Sequence, residues 1–558
     1  MTPEQREERF EKFASVLIAT VTILAAITAF LQAYASNEAD RADRQAQDFS
    51  IRATTTRVNG ALEFSYDWQG AFQTWRELDL QAASAEQEGD ALAAERFRRL
   101  QDHIASLSPL LNPPYFDEQQ NWPDPARYEA ELYLVEATRL AEHFAAQAEL
   151  SNAWSNIANV FVIQLTLLTV ALSLYGLSTT IRGMVRWLFV GVGSAIVAFN
   201  LGWMAVMLIV ELPELPAEAI DAYAQGVGMA YQGRDAEAIA LFDQALAIQP
   251  DYANALYERG NAYFFLGDYQ QAVADYQAAR EAGRNDVTVG WDLGWTYYLL
   301  GQFDQAVLVN AQVLALDPTL IGIRMNQGLA LLAQGRFDNA QLEYQQALDE
   351  AVRQVNQARS TGQQPPASLW YYLDAGAADL ESLLDQINGT PKPWTQAPPP
   401  DLVQADFARL QAFAQEHIKR IKEMTVALEF TGQPPPGPGN ANVSAFRFGQ
   451  EIYDQQGNLV RFDEYQTFEY GVDEIAIWFD FTGIPPGAQE VWKIYRNGFE
   501  DQSLRTVSEW ALESSGKGVK YITYAYSNIF IFAPGEYTVE LYIDQQLVQR
   551  GSFTVAGP

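Results

Sequence analysis

Cysteine is absent from the 558 residues, which excludes disulfides, cysteine-ligated metals and thiol nucleophiles and leaves the redox compartment open. Histidine is almost as scarce. His103, His143 and His417 lie far apart and none falls in a metal-ligand spacing, so no metal and no cofactor is expected. Basic residues are few: 36 Lys and Arg stand against 70 Asp and Glu, for a formal net charge of −34. Phosphate binding needs a basic surface, so nucleic acid is disfavoured as a partner. A nucleophile motif, a phosphate-cradling glycine loop and a histidine cluster are all missing, which argues against an enzyme. Asp463 with Glu464, and Asp473 with Glu474, stand on extended stretches, where adjacent side chains point to opposite faces.

What the chain has is a repeat. Gly226, Gly260, Gly294 and Gly328 are each thirty-four positions apart. Gly233, Gly267, Gly301 and Gly335 keep the same step, as do Ala238, Ala272, Ala306 and Ala340. A fixed period of this size predicts stacked helical hairpins. Small residues allow two helices to approach, so Gly226 is expected opposite Ala238, with Ala245 behind. The second glycine of each unit belongs in the turn. Phe242, Tyr276 and Tyr344 fill the remaining space, Asn310 breaks that column, and Pro250 and Pro318 close two units where Arg284 closes another.

By these positions residues 217–351 resemble the tetratricopeptide repeat family. The resemblance implies a binding scaffold in which the first helix of each hairpin lines a concave groove. Carried onto this sequence, the groove positions are Tyr223 and Tyr231, then Tyr257, Asn261 and Phe264. Trp291, Trp295 and Tyr298 follow, then Met325 and Leu329. Such a groove is aromatic and poor in lysine, unlike the basic clamp of some members, of which only Asn261 is a reminder. The implied partner is a protein or peptide segment, apolar or extended. The alternative is that the protein fills its own groove. The pattern of 369–373 with Leu380, Leu383 and Leu384 predicts helices over 352–390 that cap the last repeat, and some of the rings would then be core.

Three apolar runs, 13–34, 157–177 and 187–210, are long enough to span a bilayer. A cleaved signal is the competing reading of the first, since Ala33-Tyr34-Ala35 resembles a cleavage site. The length of the run and the acids Glu4, Glu7, Glu8 and Glu11 before it oppose this. Residues 178–186 carry Arg182 and Arg186 and no acid, which makes them a cytoplasmic loop by the positive-inside rule. The amino terminus, 1–12, is then a cytoplasmic tail, and everything after the third span lies outside. Arg41, Arg44 and Arg52 weaken the rule. Gln164 and Asn200 are polar within spans and are read as an interhelical hydrogen bond, helped by Gly191, Gly193 and Gly202.

Residues 35–156 read as a helical stalk outside the membrane. A loop there carries Tyr115, Phe116 and Trp122, which either meet a partner or pack on their own domain. Residues 391–423 form a proline-rich linker and a helix, and a second proline-rich break covers 433–439. From 424 to 558 strands replace helices, at 443–448, 474–481, 490–495 and 519–526. The clearest is a hairpin, 537–543 and 547–555, about Asp544-Gln545-Gln546. The pattern resembles the immunoglobulin-like sandwiches of bacterial envelope proteins. Asn442-Val443-Ser444 and Asn388-Gly389-Thr390 match short glycosylation acceptors.

The expected fold is thus a multi-domain membrane protein: three transmembrane helices with a stalk, an α-solenoid of tetratricopeptide repeats, and a C-terminal all-β sandwich. The expected function is a membrane-anchored, extracytoplasmic scaffold in the plasma membrane, binding proteins during envelope complex assembly. Alternatives are a self-associating surface-layer or stalk subunit, and a receptor that needs a separate transducer. Homo-oligomerisation stays open.

Overall fold

After Pro3 no proline occurs before Pro109, and helix follows. The computed structural model describes residues 3–87, 89–117, 121–389, 407–431, 440–453, 459–523 and 532–557. Residues 391–406 of the expected linker, the break at 433–439, Thr390 of one acceptor triplet and 524–526 of one expected strand lie outside them. The chain divides into two compact units, Met1–Arg284 and Asn285–Pro558.

In the first unit α1 (Pro3–Ser65) runs through a wider turn, Tyr66–Phe72, into α2 (Gln73–Gln87). The stretch Gln5–Glu86 has 82 residues, roughly 120 Å of helix at 1.5 Å per residue. α3 (Ala91–Leu107) turns back along α2 from Asp90, whose carboxylate accepts from the Ala93 amide at 3.0 Å. A two-residue ribbon, β1 (Phe116–Asp117) with β2 (Trp122–Pro123), leads to α4 (Pro125–Glu129). A second wider turn, Ala130–Leu134, joins it to α5 (Val135–Thr180).

α5 returns antiparallel to α1. Ala35, Ala39, Ala42 and Ala46 are buried at four-three-four spacing, the seam of a closely approached helix pair. The Ser151 hydroxyl donates to the Ala39 carbonyl at 3.0 Å, and Phe49 stacks on His143 at 4.9 Å. Further along, a Cβ at Gly60 would stand 2.3 Å from Tyr133 Cβ, so only glycine lets the two helices meet there. At the far end the loop aromatics pack inward: Phe116 on Trp75 and Trp122 on Phe72, both at 5.0 Å, and Tyr115 on Tyr128 at 4.9 Å. The Tyr128 hydroxyl donates to buried Asp67 at 2.5 Å, which gives that carboxylate a partner away from water.

α6 (Val185–Met207) completes a three-helix core with Phe10, Ala14, Val21, Leu168, Tyr175 and Val190. These three helices are long and apolar enough to cross a membrane. The Asn200 amide donates to the backbone oxygen of Gln164 at 2.9 Å, so the interhelical bond uses the Gln164 main chain rather than its side chain. Of the three glycines expected at close approach, only Gly193 is needed, since a Cβ there would stand 2.8 Å from the Tyr175 ring. Among the described residues, nothing lies within 4 Å of where a Cβ at Gly191 or Gly202 would stand, so close approach does not require glycine there. The unit ends in two hairpins, α7 (Ala217–Tyr231) with α8 (Asp235–Ile248) and α9 (Ala253–Phe265) with α10 (Tyr269–Glu281). Gly226 faces the Phe242 ring instead of Ala238; a Cβ at 226 would reach it at 2.5 Å. The aromatic ring, being larger, takes the space that the small residues on both helices leave.

The second unit opens with two more hairpins, α11 (Val287–Leu299) with α12 (Phe303–Leu316) and α13 (Ile321–Ala333) with α14 (Phe337–Ser360). α15 (Ala367–Ile387) and α16 (Phe407–Phe430) pack on each other. The strands follow: β3 (Asn442–Val443), β4 (Arg447–Tyr453), β5 (Leu459–Glu464), β6 (Thr467–Phe468), β7 (Glu474–Thr482) and β8 (Gln489–Arg496). Then come β9 (Phe499–Glu500), β10 (Thr506–Glu509), β11 (Ser515–Thr523), β12 (Gly535–Ile543) and β13 (Gln546–Val555). One sheet has the order β11-β7-β4-β5 with β3 on β7; the other is β10-β8-β12-β13-β6 with β9 on β8. Every pairing is antiparallel except β13 with β6. Both sheets contribute to one core, including Phe448, Phe479, Trp492, Tyr537 and Phe553. The last hairpin turns at Asp544 and Gln545, both with positive φ, the geometry that matches strand twist.

Candidate partner-binding surface

The expected groove residues fall in both units, and most are already in contact with their own unit. In the first, Tyr223 is buried, 5.1 Å from Tyr252 and 5.9 Å from Phe242. Burial, and then the Glu258 and Glu142 carboxylates, hold its hydroxyl well above the usual phenol range. Tyr257 is buried against Tyr276, with the Arg284 guanidinium 3.8 Å from its ring centroid. Arg284 thus puts a charge where the first and third units close with Pro250 and Pro318. Asn261 accepts from the Tyr276 hydroxyl at 2.8 Å and donates to Glu258 at 3.1 Å, which ties it into the hairpin. Phe264, half-buried, lies 5.8 Å from Phe265 and 5.4 Å from Tyr269. Tyr231 is half exposed, and its hydroxyl donates to Glu129.

The side of α7 turned away from α8 is covered by α5. A Cβ at Gly228 would stand 2.5 Å from Val135 Cγ2, Arg139 pairs with Asp221 at 2.6 Å, and Glu142 accepts from Tyr252 at 2.8 Å and Asn254 at 3.0 Å. Here α5 stands where a preceding repeat would stand. No periodicity signals it, because Arg139 and Glu142 look like ordinary solvated charges on a helix.

In the second unit the groove positions are taken by α15. Trp291 packs on Tyr372 with centroids 4.9 Å apart. Gly322 lies under both rings, where a Cβ would meet Trp291 at 2.4 Å and Tyr372 at 2.9 Å. Met325 is buried, and a Cβ at Gly376 would come 1.9 Å from its sulfur. Trp295 stacks on Tyr298 at 5.2 Å, and Tyr298 continues to Phe303 at 5.7 Å. Leu329 is buried. So Trp291 and Met325 hold a helix of the same chain, while Tyr298 is core.

α15 brings acids with it. Burial pushes the Asp379 carboxyl up to about 7; burial, and after it the Asp379 charge, raises the Tyr298 and Tyr344 hydroxyls. Asp374 is pushed to about 6, burial again being the main cause. A carboxyl whose pKa is higher folded than unfolded binds more protons in the folded state. Its stability contribution is therefore greatest below about pH 4 and is lost as pH rises towards 7. A shift of that size is worth at most about 4 kcal/mol, and Asp379 is only half-buried, so about 1–2 kcal/mol is expected. Asp379→Asn should leave the unit more stable at pH 8 and flatten its pH dependence between 5 and 8, read by hydrogen exchange in α15.

Two buried ion networks fix α15 and α16 against the outer face of the β8-β12-β13 sheet. Lys422 pairs with fully buried Glu540 and, at 3.1 Å, with Glu381; Arg550 also reaches Glu381 at 2.7 Å. Lys493 meets Glu429 at 3.2 Å and Glu500 at 3.4 Å, and Arg505 bridges the same two acids at 2.7 and 2.6 Å. Among the described residues, no three His, Asp or Glu side chains converge as a metal group.

Residues 230–267 match a family model described as TPR repeat, and residues 257–321 one described as tetratricopeptide repeat. The chain therefore carries tetratricopeptide repeats, which are protein–protein interaction modules. Among curated proteins it is similar to the DnaJ homolog subfamily C member 3 of Rattus norvegicus, 42% identical over 50 residues, which is 9% of this chain and 10% of that protein. The match thus spans a tenth of that relative's length. Among solved structures it is similar to YrrB, titled a TPR protein with an unusual peptide-binding site, at 18% identity and TM-score 0.23, covering 31% of this chain and 91% of that one. A second is MamA from Desulfovibrio magneticus RS-1, at 16% identity and TM-score 0.27, covering 38% and 97%.

Proposed function

We propose that this protein is a membrane-anchored scaffold. Its repeats stand outside the plasma membrane and hold protein partners during assembly of an envelope complex. The observation that carries this reading is the unit-two groove: its Trp291, Gly322 and Met325 already grip a helix, α15, so its chemistry is that of a helix receptor. Anchoring rests on the three apolar helices, whose outer faces expose Val16, Ile23, Phe30, Leu188 and Phe199. The amino terminus and residues 178–186 are read as cytoplasmic from Arg182 and Arg186, of which Arg182 pairs with Glu7 at 3.3 Å. The C-terminal sheets, two layers on one core, are read as an immunoglobulin-like spacer.

Crosslinking with mass spectrometry on native membranes tests the scaffold. Crosslinks from residues 217–351 to another protein are expected; crosslinks confined to this chain, or to further copies of it, would leave a stalk subunit in its place. Protease added to intact right-side-out cells should cut within the described C-terminal unit. Cleavage seen only after the membrane is opened, at sites already shown to be cut in the purified protein, would reverse the orientation.

A further inference from the structure

α15 does not continue the repeat pattern. The thirty-four-residue step ends with α14, which overruns to Ser360. α15 then crosses to α13 and α11 rather than stacking as a fifth first helix. Its contact face is short and specific: Tyr372 against Trp291, Gly376 over Met325, and Asp379 beside Tyr298, at spacings of four and three residues. The fit at Gly376 leaves no room for a side chain. Two further features mark α15 as an occupant and not as scaffold. It is joined to α14 through Pro365 and Pro366, where the helix stops, and the segment between α15 and α16, residues 388–406, contains five prolines in its sequence. And Lys422, which pairs with Glu381 of α15, keeps Glu540 as a second partner, so removing α15 strands no buried cation.

We infer that α15 is a resident ligand of the repeat groove, and that the partner which replaces it is an amphipathic helix with the same code. That code is an aromatic residue, a glycine four positions on, and a polar residue three beyond. The inference rests on the scaffold reading only for the existence of a foreign partner. Because Asp374 and Asp379 carry a cost when ionised in this place, an occupant with neutral residues there competes well at neutral pH.

The test uses the full chain in detergent and a labelled peptide of residues 367–387. In the unaltered chain the peptide faces a tethered competitor and binds weakly. Gly376→Leu in the chain expels its own α15 against Met325, so the peptide should bind at least tenfold tighter. Peptide carrying the same change should not bind. Hydrogen exchange must show α11 and α13 still protected; if they are not, Tyr372→Ala, which loosens the helix without a clash, decides, with an intermediate gain expected. No gain in either folded variant overturns the inference while leaving the scaffold reading to the crosslinking result. Dimerisation of the Gly376→Leu chain with exchange of α15 would make the occupant a second copy, and the partner-helix assignment would fall.

Discussion

Replacing Glu540 by alanine is expected to destabilise the second unit by about 3–5 kcal/mol, because it leaves charges buried without their partner. Glu540 has no exposure. It holds Lys422 from α16, accepts from the Tyr542 hydroxyl at 2.7 Å and faces Arg550 on the next strand at 3.5 Å. The desolvation of Lys422 has already been met in the folded state; without Glu540 only Glu381 remains to offset it. The double variant Lys422→Met with Glu540→Leu should recover most of the loss and come within about 1 kcal/mol of the parent, since matched apolar groups replace buried ion pairs at little net cost. Hydrogen exchange in β12 reads both. A single-variant loss below about 1 kcal/mol would show that water reaches Glu540.

Phe242→Ala should cost about 3–5 kcal/mol in the first hairpin, the usual range for deleting a fully buried aromatic side chain. Its partner is the bare backbone of Gly226, and that gives a sharper test. In the parent, Gly226→Ala forces a methyl to 2.5 Å from the ring and should destabilise by about 1–3 kcal/mol. In the Phe242→Ala background the same methyl enters vacated space and gains helix propensity, so Gly226→Ala should stabilise. The change of sign is the prediction; exchange protection in α7 and α8 measures it. The same sign in both backgrounds would mean that Gly226 and Phe242 are not in contact.

Much of this was legible from spacing alone. The thirty-four-residue glycine and alanine columns set the hairpins, and the alternation about Asp544 set the last two strands, because both depend on neighbours close in sequence. Asn310 was legible as a break in the aromatic column; it is buried with its side-chain oxygen 2.2 Å from where a Cβ of Gly294 would sit. What was not legible depends on distant pairings. Lys493 and Glu540 alternate correctly with Trp492, Ile494, Val539 and Leu541, so they read as solvent-facing residues of their strands. Only the placement of α16 over that sheet face turns them inward. Likewise Tyr372, Gly376 and Asp379 could be seen to share a helix face, but not that Trp291 and Met325 receive it. Tyr223 and Tyr257 stand on first helices, while their burial against Tyr252 and Tyr276 follows from ring size, which no periodicity encodes.

The overrun of α14 has a consequence for how this chain can change by descent. Tandem duplication lengthens a repeat protein when each copy ends in the same phase and offers the next the same face. Here α5 already stands against the first hairpin, and beyond the fourth the phase is lost by Ser360 and α15 lies across the face. A copy appended at either end would find its docking surface taken. Gains or losses of a unit are tolerated only between residues that keep the phase on both sides, so relatives with more or fewer repeats should differ within 217–351 and keep both flanking segments intact.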